Sequence, residues 1–126
     1  MYSPYGVDRC SNQRLAEYKP SVRELGWIAG FIEGEGCFSS GIERIIVVQK
    51  QLEPLLILQK CLGGYISKYR NSWGNLMYRW SVTGKRARGI MLTLYLLMST
   101  KRKKQIKGAI SPSRGIKLAD LLKANL

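Results

Sequence analysis

Residues Trp27–Phe38 read WIAGFIEGEGCF: an apolar run that ends in two glutamates, Glu33 and Glu35, each followed by a glycine. Only 8 of the 126 residues are acidic, so two carboxylates this close together need an explanation. Upstream, Pro20-Ser21-Val22-Arg23-Glu24 reads as a helix start. Ser21 can cap the free backbone N–H groups and Glu24 can reach back, completing a capping box. The helix is expected to run to about Glu33 and stop at Gly34 or Gly36. Val22, Leu25, Ala29 and Ile32 form a core stripe at helical spacing. Gly26, Gly30 and Gly34 recur every fourth residue on another face. A glycine inside a helix costs about 1 kcal/mol relative to alanine. Close approach of a second helix backbone explains three of them on one face, and packing against the chain's own sheet is the alternative. The helix is apolar nearly all round and so needs two packing surfaces, which favours the helix–helix contact.

Composition narrows the partner. The net charge is +13, with 21 basic residues, which points to a polyanion. The charge is unevenly placed: residues 1–35 sum to −1 and residues 36–126 to +14. There is no histidine, which removes Ser-His-Asp and Cys-His catalysis and His-ligated zinc. Cys10, Cys37 and Cys61 are scattered without a C-x-x-C pair, as expected for reduced thiols in an intracellular compartment. The uncharged stretches, Leu25–Ile32 among them, are too short to span a bilayer, and no apolar signal core is apparent. A soluble protein of an organelle matrix or a microbial cytoplasm is expected.

Residues 1–20 are polar, without a clear period, and read as an N-terminal arm. Residues 37–40 and 44–49 (RIIVVQ) read as two short strands joined near Gly41. Pro54 followed by LLILQKCL and Gly63-Gly64 marks a second helix. Residues 65–70 (YISKYR) and 76–83 (LMYRWSVT) read as a hairpin around NSWGN. Residues 85–97 read as a third helix, and Ser99 as the cap of a short further one. A loop around SPSRG and an amphipathic LADLLKANL close the chain, giving a domain over 21–110 and a tail over 111–126. The order α-β-β-α-β-β-α places the chain in the α+β class with an antiparallel sheet.

Carboxylates at a helix C-terminus sit at the negative end of the macrodipole, where they are disfavoured. A divalent cation such as Mg²⁺ reverses that penalty, since it takes carboxylate, phosphate and water oxygens. Two copies joined along the glycine face would bring two such carboxylates near a symmetry axis, enough for metal-assisted phosphodiester hydrolysis. Solvated acids are the plainer alternative.

The stretch from Ile28 to Gly36 resembles the signature of LAGLIDADG homing endonucleases: Ala29, Gly30, Ile32 and Gly36 match by identity, and Ile28, Phe31, Glu33, Gly34 and Glu35 by close substitution. The resemblance spans about residues 22–110. With a single motif it implies a homodimer whose two motif helices pack at the centre of a saddle-shaped sheet astride a DNA duplex. It further implies a sequence-specific double-strand DNA endonuclease of intron- or intein-type homing, using Mg²⁺ or another divalent cation such as Mn²⁺ and leaving 3′ overhangs. The second acid, Glu35, would be the catalytic metal ligand. Glu33 would be structural and near the dimer interface with Gly26, Gly30 and Gly34. Gln49-Lys50 stands where the family often carries a polar pair near the cleaved phosphate. Lys101 takes the place of the lysine that often completes the site, with Arg102, Lys103 and Lys104 as near alternatives.

By the same resemblance the outward strand faces would enter the major groove. Arg44, Ser67, Lys68, Tyr69, Arg70, Arg79 and Ser81 are the expected DNA contacts from the strands, with Arg79 suited to guanine. In the run Lys101-Arg102-Lys103-Lys104, cations in a helix's first turn oppose the dipole, and phosphate contact explains them better than a solvated surface does. One departure stands out: Ile42, Ile46 and Val48 share a face with Arg44 where polar base readers are expected. It is compatible with lower specificity, another register or loss of cleavage. The rival reading is accordingly a catalytically inactive relative that binds structured RNA or DNA, as a maturase or ribosome-associated protein does. An acid-x-Lys nuclease is disfavoured, because its only triplet, Glu17-Tyr18-Lys19, precedes Pro20. A membrane-surface role leaves both glutamates unexplained.

Overall fold

The structure is a computed structural model that describes residues 14–110. The expected SPSRG loop, the LADLLKANL segment and most of the N-terminal arm lie outside the described residues. Helix α1 spans Val22–Glu35 and opens with the capping box: Ser21 Oγ accepts from the Glu24 N–H at 3.1 Å, and Glu24 Oε1 accepts from the Ser21 N–H at 2.9 Å. It runs past Glu33 and ends at Gly36, whose N–H donates to Ile32 O. The core stripe also differs from expectation. Ile28, Ala29 and Ile32 are buried and Leu25 packs against them, whereas Val22 is 88% exposed. The helical period does extend to Val22, but the first turn carries it beyond the core.

Strands β1 (Gly36–Phe38), β2 (Arg44–Gln49), β3 (Tyr65–Arg70) and β4 (Leu76–Thr83) form one antiparallel sheet in the order β1-β2-β4-β3. Helix α2 (Glu53–Leu62) links β2 to β3. The third helix is split: α3 covers Gly84–Leu94, and Tyr95–Leu97 tighten into a 3₁₀ turn whose Tyr95 O accepts from the Met98 N–H. Helix α4 (Thr100–Ala109) follows at the Ser99 cap.

All helices among the described residues pack on one side of the sheet. Alternation sends Phe38, Ile45, Val47, Trp80 and Val82 into a core completed by Leu55 and Leu58 of α2, Met91 and Leu94 of α3, and Ile106 of α4. Pairing at Ile46↔Ser81 and Ser67↔Arg79 leaves the alternate residues on the uncovered side. The chain turns from α2 into β3 at Gly63 and Gly64, with φ of 75° and 97°. Trp80 Nε1 donates to Gly63 O at 2.8 Å, and Gly64 exchanges two backbone hydrogen bonds with Arg14, at 2.8 and 2.9 Å. Residues 14–20, read as part of the arm, thus begin with a backbone bridge to the domain.

A Cβ on Gly64 would lie 2.7 Å from Trp80 Nε1 and 2.8 Å from Ser81 O, in a backbone conformation that disfavours any side chain. Gly64→Ala is expected to lower unfolding stability by about 2–4 kcal/mol, read as a reduced urea midpoint. Gly26→Ala, with nothing within 4 Å of the added Cβ, is expected not to lower the stability of the isolated chain.

Candidate functional site

The C-terminus of α1 meets the N-terminus of α4. Glu33 Oε1 accepts from the Ser99 N–H at 2.7 Å and Glu33 Oε2 accepts from Ser99 Oγ at 2.8 Å. Its carboxylate therefore sits at the positive end of α4. Arg102 closes the clamp: its Nε donates to Glu33 O at 2.9 Å and lies 3.7 Å from Glu33 Oε2. Hydrogen bonding from the Ser99 backbone is the main force holding the Glu33 pKa below its ordinary value; the Ser99 hydroxyl and the charges of Arg102 and Lys101 add to it.

This geometry revises the reading of the basic run. Arg102, expected on phosphate, is directed into the protein. Its Nη1 donates to Gln105 Oε1 at 2.8 Å, its guanidinium lies 5.9 Å from the Phe38 ring, and its side chain is only 13% exposed. A cation here stabilises the fold because a carboxylate and a helix C-terminal carbonyl face it. Lys103 is half-buried with Nζ 5.6 Å from the Tyr95 ring centroid. Lys101 and Lys104 remain exposed, and with Phe38, Ser40, Gln105 and Gly108 they line a recess of about 320 Å³.

Glu35 is the last residue of α1 and is exposed. Gly36 pairs with Val47, so Glu35 and Gln49 lie one and two residues beyond that pair at the same end of the sheet. Lys101 is in the first turn of the helix that Glu33 anchors. The elements bearing Glu35, Gln49 and Lys101 therefore converge. No group of three or more His, Cys, Asp or Glu suited to a metal ion occurs among the described residues. The Glu35 carboxylate is a hard oxygen donor of the kind Mg²⁺ takes, and a single chain offers one such free carboxylate at this point.

Across the uncovered sheet face, β2 presents Arg44, Ile46 and Val48, β4 presents Arg79 and Ser81, and β3 presents Ser67 and Tyr69. Arg79 lies 4.9 Å over the Tyr69 ring, and Arg44 Nη2 donates to Ser39 Oγ at 3.2 Å. Lys68 and Arg70 belong to the opposite parity and pair with Tyr78 and Leu76, so the structure separates them from this face. Arg70 Nη1 donates to Gly74 O at 2.9 Å in the hairpin turn. Lys50 is exposed just beyond β2.

Among the described residues the glycine face of α1 is bare: beyond the helix's own backbone, nothing lies within 4 Å of a Cβ added at Gly26, Gly30 or Gly34. Packing against the chain's own sheet is thereby excluded as their explanation. Beside them Trp27 and Phe31 stack at 5.0 Å, with Trp27 42% exposed. Sequence reading missed the pair between Glu43 and Arg88, which form a bidentate ion pair at the turn of the first hairpin. Separated by 45 residues, they carry no local signal; only the lone acid between two strands hinted at a role.

No family model matches the sequence, and no curated protein does. Solved structures do. The homing endonuclease I-CvuI, in complex with its target in the presence of calcium, matches at TM-score 0.53 and 23% identity over 82% of each chain. The same enzyme on the I-CreI target with magnesium, its DNA not cleaved, matches at 0.50 and 22% over 82% of each. I-CeuI, a group I intron-encoded homing endonuclease complexed with DNA, gives 0.56 at 14% identity, over 86% of this chain and 58% of its own. The α+β fold described above is that of the LAGLIDADG homing endonucleases.

The clamp carries a pH signature. The Glu33 carboxyl titrates lower in the folded chain than its ordinary 4.5, so its stabilisation is present above that pH and is lost as pH falls through the folded value. Glu33→Gln is expected to lower stability near neutrality and to reduce the slope of stability against pH below about 4.5, as read by urea unfolding across that range.

Proposed function

We propose that this chain is a metal-dependent, sequence-specific double-strand DNA endonuclease of the homing type, acting as a homodimer. One observation carries the reading: an exposed Glu35 ends a helix whose glycine face lies open, next to a sheet face bearing Arg44 and Arg79. Two copies joined along Gly26, Gly30 and Gly34 would bring their Glu35 carboxylates together over a duplex. The net charge of +13 and the DNA complexes of the similar structures support the substrate class.

Glu35 and its symmetry mate would hold Mg²⁺ or Mn²⁺, together with phosphate oxygens and water. When bound, such a cation polarises the phosphodiester and supplies a more acidic water. Gln49, with a donor and an acceptor on one amide, orients the attacking water. The Lys101 ammonium offsets charge that develops on the phosphate. Glu33, Ser99 and Arg102 position the Lys101-bearing turn and do not themselves touch substrate. Each subunit would cut one strand across the minor groove, leaving 3′ overhangs, within an organelle matrix or a microbial cytoplasm.

The apolar Ile46 and Val48 on the open face favour one rival, a relative that binds structured RNA or DNA without cutting. Cleavage of a randomised duplex library in Mg²⁺ separates the two. Defined double-strand cuts are expected from the wild type and none from Glu35→Gln, with DNA affinity within a few-fold of the wild type. Retained RNA binding without Mg²⁺, and no cutting by either protein, would select the rival. Gly30→Leu is expected to yield a folded chain that sediments as a monomer and does not cut, since among the described residues nothing beyond α1's own backbone lies within 4 Å of a Cβ added there.

A further inference from the structure

The open sheet face carries an apolar strip that neither the proposed chemistry nor the core explains. Register pairing puts Cys37 opposite Ile46, Ile46 opposite Ser81, and Val48 opposite Arg79. Ile46 and Val48 are half-buried by their strand neighbours, and they point away from the side on which Ile45 and Val47 are fully buried. The described helices all lie on that other side, so neither α1 nor α4 covers the strip. The surroundings are cationic: Arg44 lies two residues from Ile46, and Arg79 is held 4.9 Å over the Tyr69 ring. An apolar strip between arginines suits a polyanion that exposes apolar groups on its readable edge.

In the major groove only thymine does so, through its C5-methyl group. We infer that Ile46 and Val48 read thymine methyl groups in each half of the DNA target, while Arg79 takes a guanine beside them. The inference rests on the endonuclease reading and deepens it by naming target chemistry. Residues i and i+2 of a strand lie about 6.6 Å apart, close to two base-pair steps of about 3.4 Å. With β2 along the groove, the two methyl contacts therefore fall about two steps apart. The strip also selects DNA over RNA, because uracil lacks the methyl group.

The test uses the duplex recovered from a randomised library by binding to the full chain carrying Glu35→Gln. Each thymine of that site is replaced in turn by deoxyuridine, which removes one methyl and keeps base pairing. Fluorescence anisotropy is expected to show an affinity loss of about fourfold at one or two thymines per half-site. In Ile46→Ala or Val48→Ala the loss at the corresponding thymine disappears. Tight, selective binding that is indifferent to every deoxyuridine overturns the methyl contact and leaves the endonuclease reading standing. So does a methyl effect that persists unchanged in both alanine variants. Failure to enrich any duplex overturns both. Because the first measurement alters only the DNA, it holds whether or not the alanine variants fold.

Discussion

The junction at Gly36 constrains the rest of the molecule. One residue is both the C-cap of α1 and the first residue of β1, so helix and sheet join with no loop between them. A Cβ there would lie 2.6 Å from Ile32 O and 2.8 Å from Ile32 Cγ2. Only glycine lets the strand leave so close to the helix's last turn. The direct joint places Glu33 and Glu35 at the end of the sheet beside β2, and fixes which way the glycine face of α1 looks. A loop of even a few residues would decouple the acidic end of the helix from the strands.

Around that joint, electrostatics run opposite to simple helix rules. Acids at a helix C-terminus and cations in a helix's first turn are both disfavoured by the macrodipole. Here the two unfavourable ends face each other, and each is offset by the other. Glu33 accepts from the Ser99 backbone and hydroxyl, while Arg102 donates to Glu33 O. Glu35, two residues on, is left exposed. One acid holds two helices in place and the other faces solvent. The two therefore sit in different surroundings despite being two residues apart in sequence, which is the basis for proposing Glu35 rather than Glu33 as the metal ligand.

The one-sided architecture divides the strands in the same way. Every second residue feeds a core built around the fully buried Trp80, Ile45 and Val47. The alternate residues form an open face that mixes Arg44 and Arg79 with Ile46 and Val48. No helix among the described residues is long and apolar enough to cross a membrane. A basic, partly apolar sheet face is consistent with contact to a charged polymer that also has methyl groups to bury.

Much of this was legible in the chain itself, and for local reasons. The capping box at Ser21, the glycines ending α1 and α2, and the period-two strands are written within a few residues of the features they control, so element order could be read directly. The bare glycine face was legible too, because helical period alone separates Gly26, Gly30 and Gly34 from the core stripe. What pattern reading missed depended on distant partners. Val22 fits the stripe, yet it is exposed because the core ends before it. Arg102 looked like its neighbours Lys101 and Lys104 until the fold set it against Glu33, 69 residues away. Lys68 and Arg70 had the right charge but the wrong parity once β3 paired with β4. Local backbone chemistry determined the elements; which cation is bound inside and which stays free was decided only by packing, because charge type is local and a counter-charge 69 residues away is not.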